Sequence, residues 1–353
     1  MRVLITGGGG FLGQNIARVM LARGGVGHEP GAPGKLSELV LFDQAFPADR
    51  LEDSRVTYIS GDILDQTLLG SACAPSVDAV FHLASVVSAG AEEDFDLGLR
   101  VNIGGMRAIL EVCRAQPAAP RLVFTSSVAA FGGNLPNVVL DTTAATPQSS
   151  YGTQKVIGEL LVNDYTRKGY IDGRTVRLPT IVVRPGKPNR AASGFMSNIL
   201  REPIKGELAV CPVPAETRMW IASPERAVEA LLHAIELPAA AWGWNRTLNA
   251  PGITVSVAEA LSALERIAGA EKATRVRFNL DPAIEKIVLS WPVCFATERA
   301  DRLGFTRDAS IDDIIRSHIR AASLFGSAAL VTDAAPSSRL FLGSPPFRAG
   351  EGT

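Results

Sequence analysis

The stretch RVLITGGGGFLGQNIARVMLAR, residues 2–23, decides the fold. An apolar run at 3–6 is followed by glycines at 7–10, by a helical pattern over 11–23 and by a second apolar run at 39–42. Apolar runs of this length, separated by a glycine turn and an amphipathic segment, predict buried strands joined by a helix. The stretch therefore predicts a βαβ unit.

The same alternation continues along the chain, with strands predicted at 56–59, 79–83, 121–125 and 175–178 and long helices at 96–114 and 151–167. Strands that alternate with helices predict an α/β fold of the Rossmann type, a doubly wound parallel sheet. After residue 178 the alternation becomes irregular, with helices predicted at 224–237 and 256–268. We expect residues 1–178 to form the nucleotide-binding domain, with 224–250 packing back on it. Residues 179–223 and 251–325 then form a smaller C-terminal substrate lobe.

Two segments, 24–34 and 326–353, lack hydrophobic periodicity, and both are expected to lie in solvent, the second as a disordered tail. The composition is otherwise that of a globular protein, with 46% hydrophobic and 20% charged residues. The 35 basic and 36 acidic residues nearly cancel, which predicts no nucleic-acid partner. Four widely spaced cysteines and no apolar run of membrane-spanning length predict a cytoplasmic location, no metal site and no membrane association.

Gly7, Gly10 and Gly13 lie between the first strand and the first helix, where a pyrophosphate must approach the backbone and the helix N-terminus. The pattern predicts a dinucleotide site, whereas the simpler interpretation is a flexible turn. Asp43 ends the second apolar run, where a carboxylate can bind the adenosine ribose and repel a 2′-phosphate, which favours NAD over NADP. A turn-capping role for Asp43 stays open. Asp62 could accept from the adenine amino group or cap the next helix.

Tyr151 and Lys155 are four residues apart on a predicted helix and therefore share one face. A phenol becomes a base near neutral pH only beside a positive charge, which Lys155 would supply. The segment FTSS, residues 124–127, ends a buried strand at the sheet edge where ligands of doubly wound folds bind, so a serine hydroxyl there can orient a reacting oxygen. A surface contact is the alternative for the Tyr/Lys pair alone. Together with the glycine turn, these residues predict a proton-transfer site beside a nicotinamide.

The segments GGGGFLG, FHLAS, FTSSVAAFGG and SSYGTQK resemble the extended short-chain dehydrogenase/reductase superfamily. The segments DFDLGLRVN, PQSSYGTQKVIGELLVNDY, RLPTIVVRPGKPN, AVCPVP and DPAIEKIVLSWP resemble, more specifically, the D-erythronate dehydrogenase family across residues 1–320. This resemblance implies NAD-linked oxidation of the C2 hydroxyl of a short sugar acid to a 2-oxo acid, in sugar-acid catabolism. It also implies a homodimer formed through the helices at 96–114 and 151–167.

The resemblance implies roles for individual residues. Tyr151 would be the base and Lys155 would bind the nicotinamide ribose. Ser127 would hold the substrate hydroxyl and Ser126 would lie against the nicotinamide, although the two serines could be exchanged. Asn102, on the predicted helix at 96–114, could hold backbone or water near the lysine. The remaining expected contacts to NAD are Phe11, Leu12, Ile63, Leu83, Ala84, Asn102 and Pro179.

A substrate carboxylate needs a cation close to the reacting carbon. Arg184 and Lys187 follow a strand that ends beside the expected nicotinamide site, and Arg218 is the next candidate; a solvated loop with chance positive residues is the alternative. The other expected substrate contacts are Ser85, Thr180 and Asn189.

Two other functions compete with this one. The first is a nucleotide-sugar epimerase or dehydratase that retains its NAD, for which the second lobe offers a single arginine, Arg218, in the segment RMWIASPE. The second is a catalytically silent protein that senses NAD, against which the intact Ser127, Tyr151 and Lys155 argue.

Overall fold

A computed structural model of the protein describes residues 1–29, 32–186 and 191–325. The strands are β1 (Arg2–Thr6), β2 (Gly25–Glu29), β3 (Ala32–Lys35), β4 (Glu38–Asp43), β5 (Val56–Ser60), β6 (Ala79–His82), β7 (Arg121–Ser127), β8 (Asp172–Leu178), β9 (Thr180–Ile181), β10 (Ala209–Cys211), β11 (Arg218–Ala222), β12 (Thr247–Asn249), β13 (Ile253–Ser256) and β14 (Val276–Phe278). The helices are α1 (Phe11–Arg23), α2 (Gln66–Cys73), α3 (Ser88–Glu93), α4 (Phe95–Gly98), α5 (Gly105–Arg114), α6 (Ser150–Arg167), α7 (Gly194–Lys205), α8 (Pro224–Glu236), α9 (Ala239–Trp242), α10 (Val257–Ala268), α11 (Ala270–Ala273), α12 (Pro282–Leu289), α13 (Glu298–Arg302) and α14 (Ile311–Phe325). A π-helical turn, Leu99–Gly104, joins α4 to α5, and a 3₁₀ turn, Val128–Ala130, follows β7.

The central sheet has the strand order β12-β8-β7-β6-β1-β4-β5, and every neighbouring pair in it is parallel. Successive side chains of a strand point to opposite faces, and β1 shows the consequence directly. Val3 and Ile5 belong to a core shared with α1 and α8, whereas Leu4 belongs to the core shared with α2, α5 and α6. Both faces of the sheet are therefore covered by helices. The predicted doubly wound Rossmann-type sheet is confirmed.

The prediction that residues 24–34 lie in solvent without regular structure is wrong for the residues that are described there. Strands β2 and β3 form an antiparallel hairpin. Val26 is buried in the core that α1 and α8 share, and the Leu36 amide donates to the Gly24 carbonyl oxygen. The many glycines and prolines of this segment made its strand pattern hard to recognise in the sequence. The side chain of Val26 packs the hairpin against the core.

The C-terminal half builds a second core and then returns to the first. Strands β9, β11 and β13 form a small sheet, β10 pairs with β14, and α7, α10 and α14 pack in the apolar core beside them. Between these elements, β12 pairs in parallel with β8 at the edge of the central sheet, and α8 contacts β7 and β8. The chain thus passes from the central sheet to the second core, back to the sheet and out again.

No helix within 1–29, 32–186 and 191–325 has both the length and the apolar character needed to cross a lipid bilayer. Residues 326–353, for which the sequence predicts a disordered tail, lie outside the described residues.

Candidate active site

The glycine turn between β1 and α1 forms one rim of the main cleft. Gly7 has a φ of +73°, and a Cβ on it would lie 2.7 Å from the backbone nitrogen of Ala84. A Cβ on Gly13 would lie 2.4 Å from the carbonyl oxygen of Gly7. Side chains are therefore excluded at positions 7 and 13, and the first amides of this 13-residue helix lie at the cleft rim without a side-chain cap at Gly10. This cradle fits the pyrophosphate of the NAD that the sequence predicts.

Asp43 lies at the carboxyl end of β4 and lines the same cleft. Its Oδ2 atom accepts a 2.9 Å hydrogen bond from the Gly9 amide, and its Oδ1 atom accepts one of 2.7 Å from the Gln44 amide. Each carboxylate oxygen keeps a further lone pair for a ribose hydroxyl. Asp43 therefore combines the two predicted roles: it caps the turn and presents a carboxylate to the cleft.

The main cleft has a volume of about 540 Å³ and runs from this turn to the second core. Most of the predicted site residues line it: Gly7, Gly10, Phe11, Leu12, Gly13, Asp43, Ile63, Leu83, Ala84, Ser85, Ser126, Ser127, Tyr151, Lys155, Pro179, Thr180 and Arg184. Asp62, Asn102 and Arg218 are not among its lining residues. Lys187 and Asn189 lie outside the described residues.

Tyr151 lies in the first turn of α6, where the side chain of Ser149 caps the helix by accepting from the Gly152 amide. Burial raises the pKa of the Tyr151 phenol to about 12, while the charge of Arg184 and a hydrogen bond from the Ser127 hydroxyl act to lower it. Arg184 is thus a positive charge near the phenol that adds to the one predicted from Lys155. Ser127, at the end of β7, is the serine that meets the phenol.

Lys155 is 3% exposed and lies one turn further along α6. Its Nζ atom is 4.8 Å from the centre of the Phe124 ring and 5.4 Å from the centre of the Tyr151 ring. Burial lowers the pKa of Lys155 to about 7, and the negative charge of Glu159 acts to raise it. The ammonium group therefore packs between two aromatic rings rather than in water.

Glu159, one further turn along α6, is a site residue that the sequence reasoning missed. Its carboxylate is buried and accepts hydrogen bonds from Ser126 Oγ and from both Nε and Nη2 of Arg177, the last at 2.6 Å. Ser126 thus directs its hydroxyl to Glu159, although the residue also lines the cleft. The spacing Tyr151, Lys155, Glu159 along one helical face is the signal that could have revealed it.

Asn102 lies in the π-helical turn and fixes the loop after β6. Its Oδ1 atom accepts from the Val86 amide at 2.7 Å and from Ser85 Oγ at 3.0 Å, and its Nδ2 atom donates to the Val86 carbonyl oxygen. It also donates to Gln154 Oε1 on α6. Asn102 therefore holds backbone near α6. Asp62 is exposed and accepts from the Leu64 amide at 3.0 Å, which is a local turn contact. The helix that follows, α2, is capped by Asp65, whose side chain accepts from the Leu68 amide, and not by Asp62.

The predicted cations differ in their position. Arg184 is half-buried in the main cleft, with Nε donating to the Ile181 carbonyl oxygen and Nη2 to Ser193 Oγ. Within the described part of the chain, it forms no ion pair with a carboxylate, unlike the buried Arg177. Arg218 is exposed and lines a second, smaller cavity of about 330 Å³. The geometry thus places one of the two described candidates beside Tyr151.

The sequence reasoning also missed Trp291, which follows α12 and lines both cavities. It lies in DPAIEKIVLSWP, one of the segments that carry the family resemblance, but nothing there marks the tryptophan itself, since it belongs to neither a glycine turn nor a charged pair. The hydroxyls of Ser193 and Ser197 and the amide of Asn198, at the start of α7, add polar groups to the main cleft near Arg184.

Comparison with known proteins identifies the family. Residues 3–245 match the NAD dependent epimerase/dehydratase family. The D-erythronate dehydrogenase of Cupriavidus necator is 51% identical over 324 residues, which are 92% of this chain and 99% of that protein. The D-erythronate dehydrogenase of Haemophilus influenzae is 44% identical over 319 residues, 90% of this chain and 99% of that protein. A crystal structure described as a nucleoside-diphosphate-sugar epimerase from Agrobacterium tumefaciens superposes with a TM-score of 0.84 at 39% identity, covering 91% of this chain and 94% of that one. The chain therefore belongs to the NAD dependent epimerase/dehydratase family and, within it, to the D-erythronate dehydrogenase family.

Proposed function

We propose that this protein is an NAD-dependent D-erythronate dehydrogenase that oxidises the C2 hydroxyl of the acid to a 2-oxo acid in sugar-acid catabolism. The observation that carries this proposal is Arg184, a half-buried cation in the same cleft as Tyr151. Among the described residues it has no carboxylate partner, and its charge acts on the Tyr151 phenol. A buried cation without a counter-ion is costly, so the site favours an anionic ligand. In a 2-hydroxy acid the carboxylate is bonded to the reacting carbon. Arg184 could therefore bind the carboxylate while Tyr151 contacts the hydroxyl on that carbon.

Each of several residues of this chain then has its own role in binding the acid and moving the proton. Arg184 binds the carboxylate and Ser127 orients the C2 hydroxyl. Tyr151 accepts the hydroxyl proton as the phenolate, after losing its own proton, and the positive charges of Arg184, Lys155 and the oxidised nicotinamide would favour that form. Lys155 lies over the Tyr151 ring and supplies positive charge below the reacting groups. NAD, when bound, supplies the hydride acceptor. Gly7, Gly10 and Gly13 would hold its pyrophosphate, and Asp43 would hold its adenosine ribose. The Asp43 carboxylate would repel the 2′-phosphate of NADP.

The alternatives make different demands on the same cleft. A nucleotide-sugar epimerase or dehydratase must clamp a diphosphate, and Arg218, the candidate for that role, lines the second cavity and not the main cleft. An NAD sensor without catalysis has no need of a phenol hydrogen-bonded to a serine at the nicotinamide end of the cleft. We therefore favour the dehydrogenase.

A direct assay tests the proposal. Purified protein is mixed with NAD and with D-erythronate, other aldonic acids, erythritol or a nucleotide sugar, and the absorbance of reduced NAD is followed. Stoichiometric reduction with D-erythronate, and much weaker reduction with uncharged erythritol, is the expected result. No reduction with any acid, or turnover of a nucleotide sugar without net reduction, would overturn the proposal.

We further propose a cytoplasmic homodimer in which α4 and α6 of two copies pack together. These helices contact each other and leave large apolar side chains exposed, Phe95 at 56% and Leu160 at 64%. Exposed apolar patches of this kind favour an interface. The four cysteines are free thiols, as a reducing compartment requires.

Within each copy, we propose that residues 1–178 and 224–250 bind NAD while 179–223 and 251–325 close over the acid. Sedimentation of wild type and Leu160→Glu tests the dimer, which the charged variant should dissociate.

A further inference from the structure

The main cleft and the second cavity share one wall residue, Trp291. Both spaces are lined by its side chain, and the remaining lining of the second cavity is drawn from 214–218, 285–289 and Val293. None of these other residues lines the main cleft. The indole is thus the point at which a cleft of about 540 Å³ and a cavity of about 330 Å³ meet.

The position of Trp291 is fixed by the elements on either side of it. Its amide donates to the Val288 carbonyl oxygen at the end of α12, and the Val293 carbonyl oxygen accepts a 2.5 Å hydrogen bond from Thr254 Oγ1 of β13. The ring also packs against the apolar core of the C-terminal half. The segment is therefore tied down on both sides of the ring, and a large side chain held in this way can act as a fixed wall.

The indole Nε1 atom is buried and, within the described residues, has no hydrogen-bond partner. The ring therefore contributes its volume at this place and no hydrogen bond. In contrast, the second cavity is bordered by groups that could serve a polyol, among them Thr217, Arg218 and Glu285. These groups line the second cavity and not the main cleft, so a short acid held by Arg184 does not need them.

We propose that Trp291 sets the chain-length limit of the substrate by closing the reaction cleft against the second cavity, so that four-carbon acids are accepted and longer aldonic acids are rejected. The inference rests on the proposed oxidation of sugar acids. Removal of the indole should join the two spaces and give the distal hydroxyls of a five- or six-carbon acid access to Arg218 and Glu285. The carboxylate and the C2 hydroxyl would keep their positions at Arg184 and Tyr151.

The test compares kcat/KM for four-, five- and six-carbon aldonic acids, with saturating NAD, in wild type, Trp291→Ala and Trp291→Phe. In Trp291→Ala the ratio of the six-carbon to the four-carbon value should rise about tenfold or more, which is 1.4 kcal/mol of discrimination. Trp291→Phe keeps a ring in the wall and should keep the ratio near that of wild type. Leu289→Ala is the matched control, because this exposed residue lines only the second cavity and its removal enlarges that cavity without opening the wall.

An active Trp291→Ala enzyme whose chain-length ratio stays within about twofold of wild type would overturn the inference, as would an equal change in Leu289→Ala. If Trp291→Ala does not fold, judged by its circular dichroism and Tm, Trp291→Val tests the same change in the chain-length ratio with a smaller loss of packing. A wild-type enzyme that reduces no NAD with any sugar acid would instead contradict the proposed function, so the two failures are distinguishable.

Discussion

The Gly9 amide donates a 2.9 Å hydrogen bond to the Asp43 Oδ2 atom, so the carboxylate that we propose to bind the ribose also holds the glycine turn. Replacement of Asp43 by a small residue would disturb both functions. Asp43→Asn keeps an acceptor for the Gly9 amide and removes the negative charge.

We expect Asp43→Asn to lower the preference for NAD over NADP by about tenfold or more, because the repulsion of the 2′-phosphate disappears. The measurement is kcat/KM for each cofactor at a fixed acid concentration. Asp62→Asn, in an exposed turn outside the main cleft, is the control and should leave the ratio unchanged. A variant that remains as selective as wild type would remove Asp43 from cofactor discrimination.

Tyr151→Phe should lower kcat by about a hundredfold or more, because it deletes the proton acceptor and keeps the ring that packs beside Lys155. The affinity for NAD, measured by calorimetry, should change little. Turnover close to that of wild type would show that another group accepts the proton.

Arg184→Ala should raise the KM for D-erythronate at least about tenfold while the affinity for NAD stays the same, since the carboxylate loses its charge-assisted hydrogen bonds. Arg218→Ala provides the comparison, because its side chain lines the second cavity, and its KM for the four-carbon acid should stay within about twofold. The reverse pattern would assign the carboxylate to Arg218.

Glu159→Ala should destabilise the protein by about 3–5 kcal/mol, because it leaves the guanidinium of Arg177, 11% exposed, without its partner. Urea unfolding monitored by circular dichroism measures this change. The double variant Glu159→Leu, Arg177→Met should recover much of the loss, since no unpaired charge is left behind. Similar stabilities for wild type and Glu159→Ala would contradict the importance of the pair.

His82 should make the protein less stable in mild acid. Its Nδ1 atom is hydrogen-bonded to Thr6 Oγ1 at 2.8 Å, and burial, followed by the charge of Lys155, lowers its pKa to about 3 from an ordinary value of 6.5. Between pH 6.5 and about 3 the unfolded chain binds a proton that the folded chain does not, so stability falls as the pH falls through this window. The loss between pH 7 and pH 5 is roughly 2 kcal/mol. His82→Gln, compared by urea unfolding at both pH values, should lose that part of the pH dependence, and an unchanged slope would contradict it.

Much of the fold could be predicted because its central strands are short apolar runs and its longest helices follow a 3.6-residue period. Helix α1 coincides with the predicted segment 11–23, and α6 begins one residue before the predicted one. The predicted helix 96–114 is interrupted by a π-helical turn at Leu99–Gly104, where Asn102 points inward to the loop after β6. A hydrophobic period does not reveal such a turn, because it depends on a contact with a distant loop.

The grouping of the proposed catalytic residues in one cleft could also be predicted, because Tyr151 and Lys155 are neighbours on one helix and the serines end one strand. Other parts depend on contacts between distant segments. The pairing of Glu159 with Arg177 joins a helix to a strand, and the position of Trp291 between two cavities arises only when the C-terminal half folds back. The choice between Arg184 and Arg218 likewise follows from which cavity each side chain faces, and their sequence neighbourhoods do not distinguish them.

The placement of β12 at the edge of the central sheet constrains how this protein can evolve. Residues 247–249 form the edge strand of a sheet that begins at residue 2. A single genetic recombination between relatives near residue 181 would therefore place β8 and its partner strand β12, and likewise Arg177 and Asn249, in segments from different parents. The lobe that we propose to bind the acid is therefore not one contiguous segment that relatives could exchange as a unit. New substrate preferences in such an architecture arise more readily from point substitutions at the walls of the cleft than from recombination of whole segments.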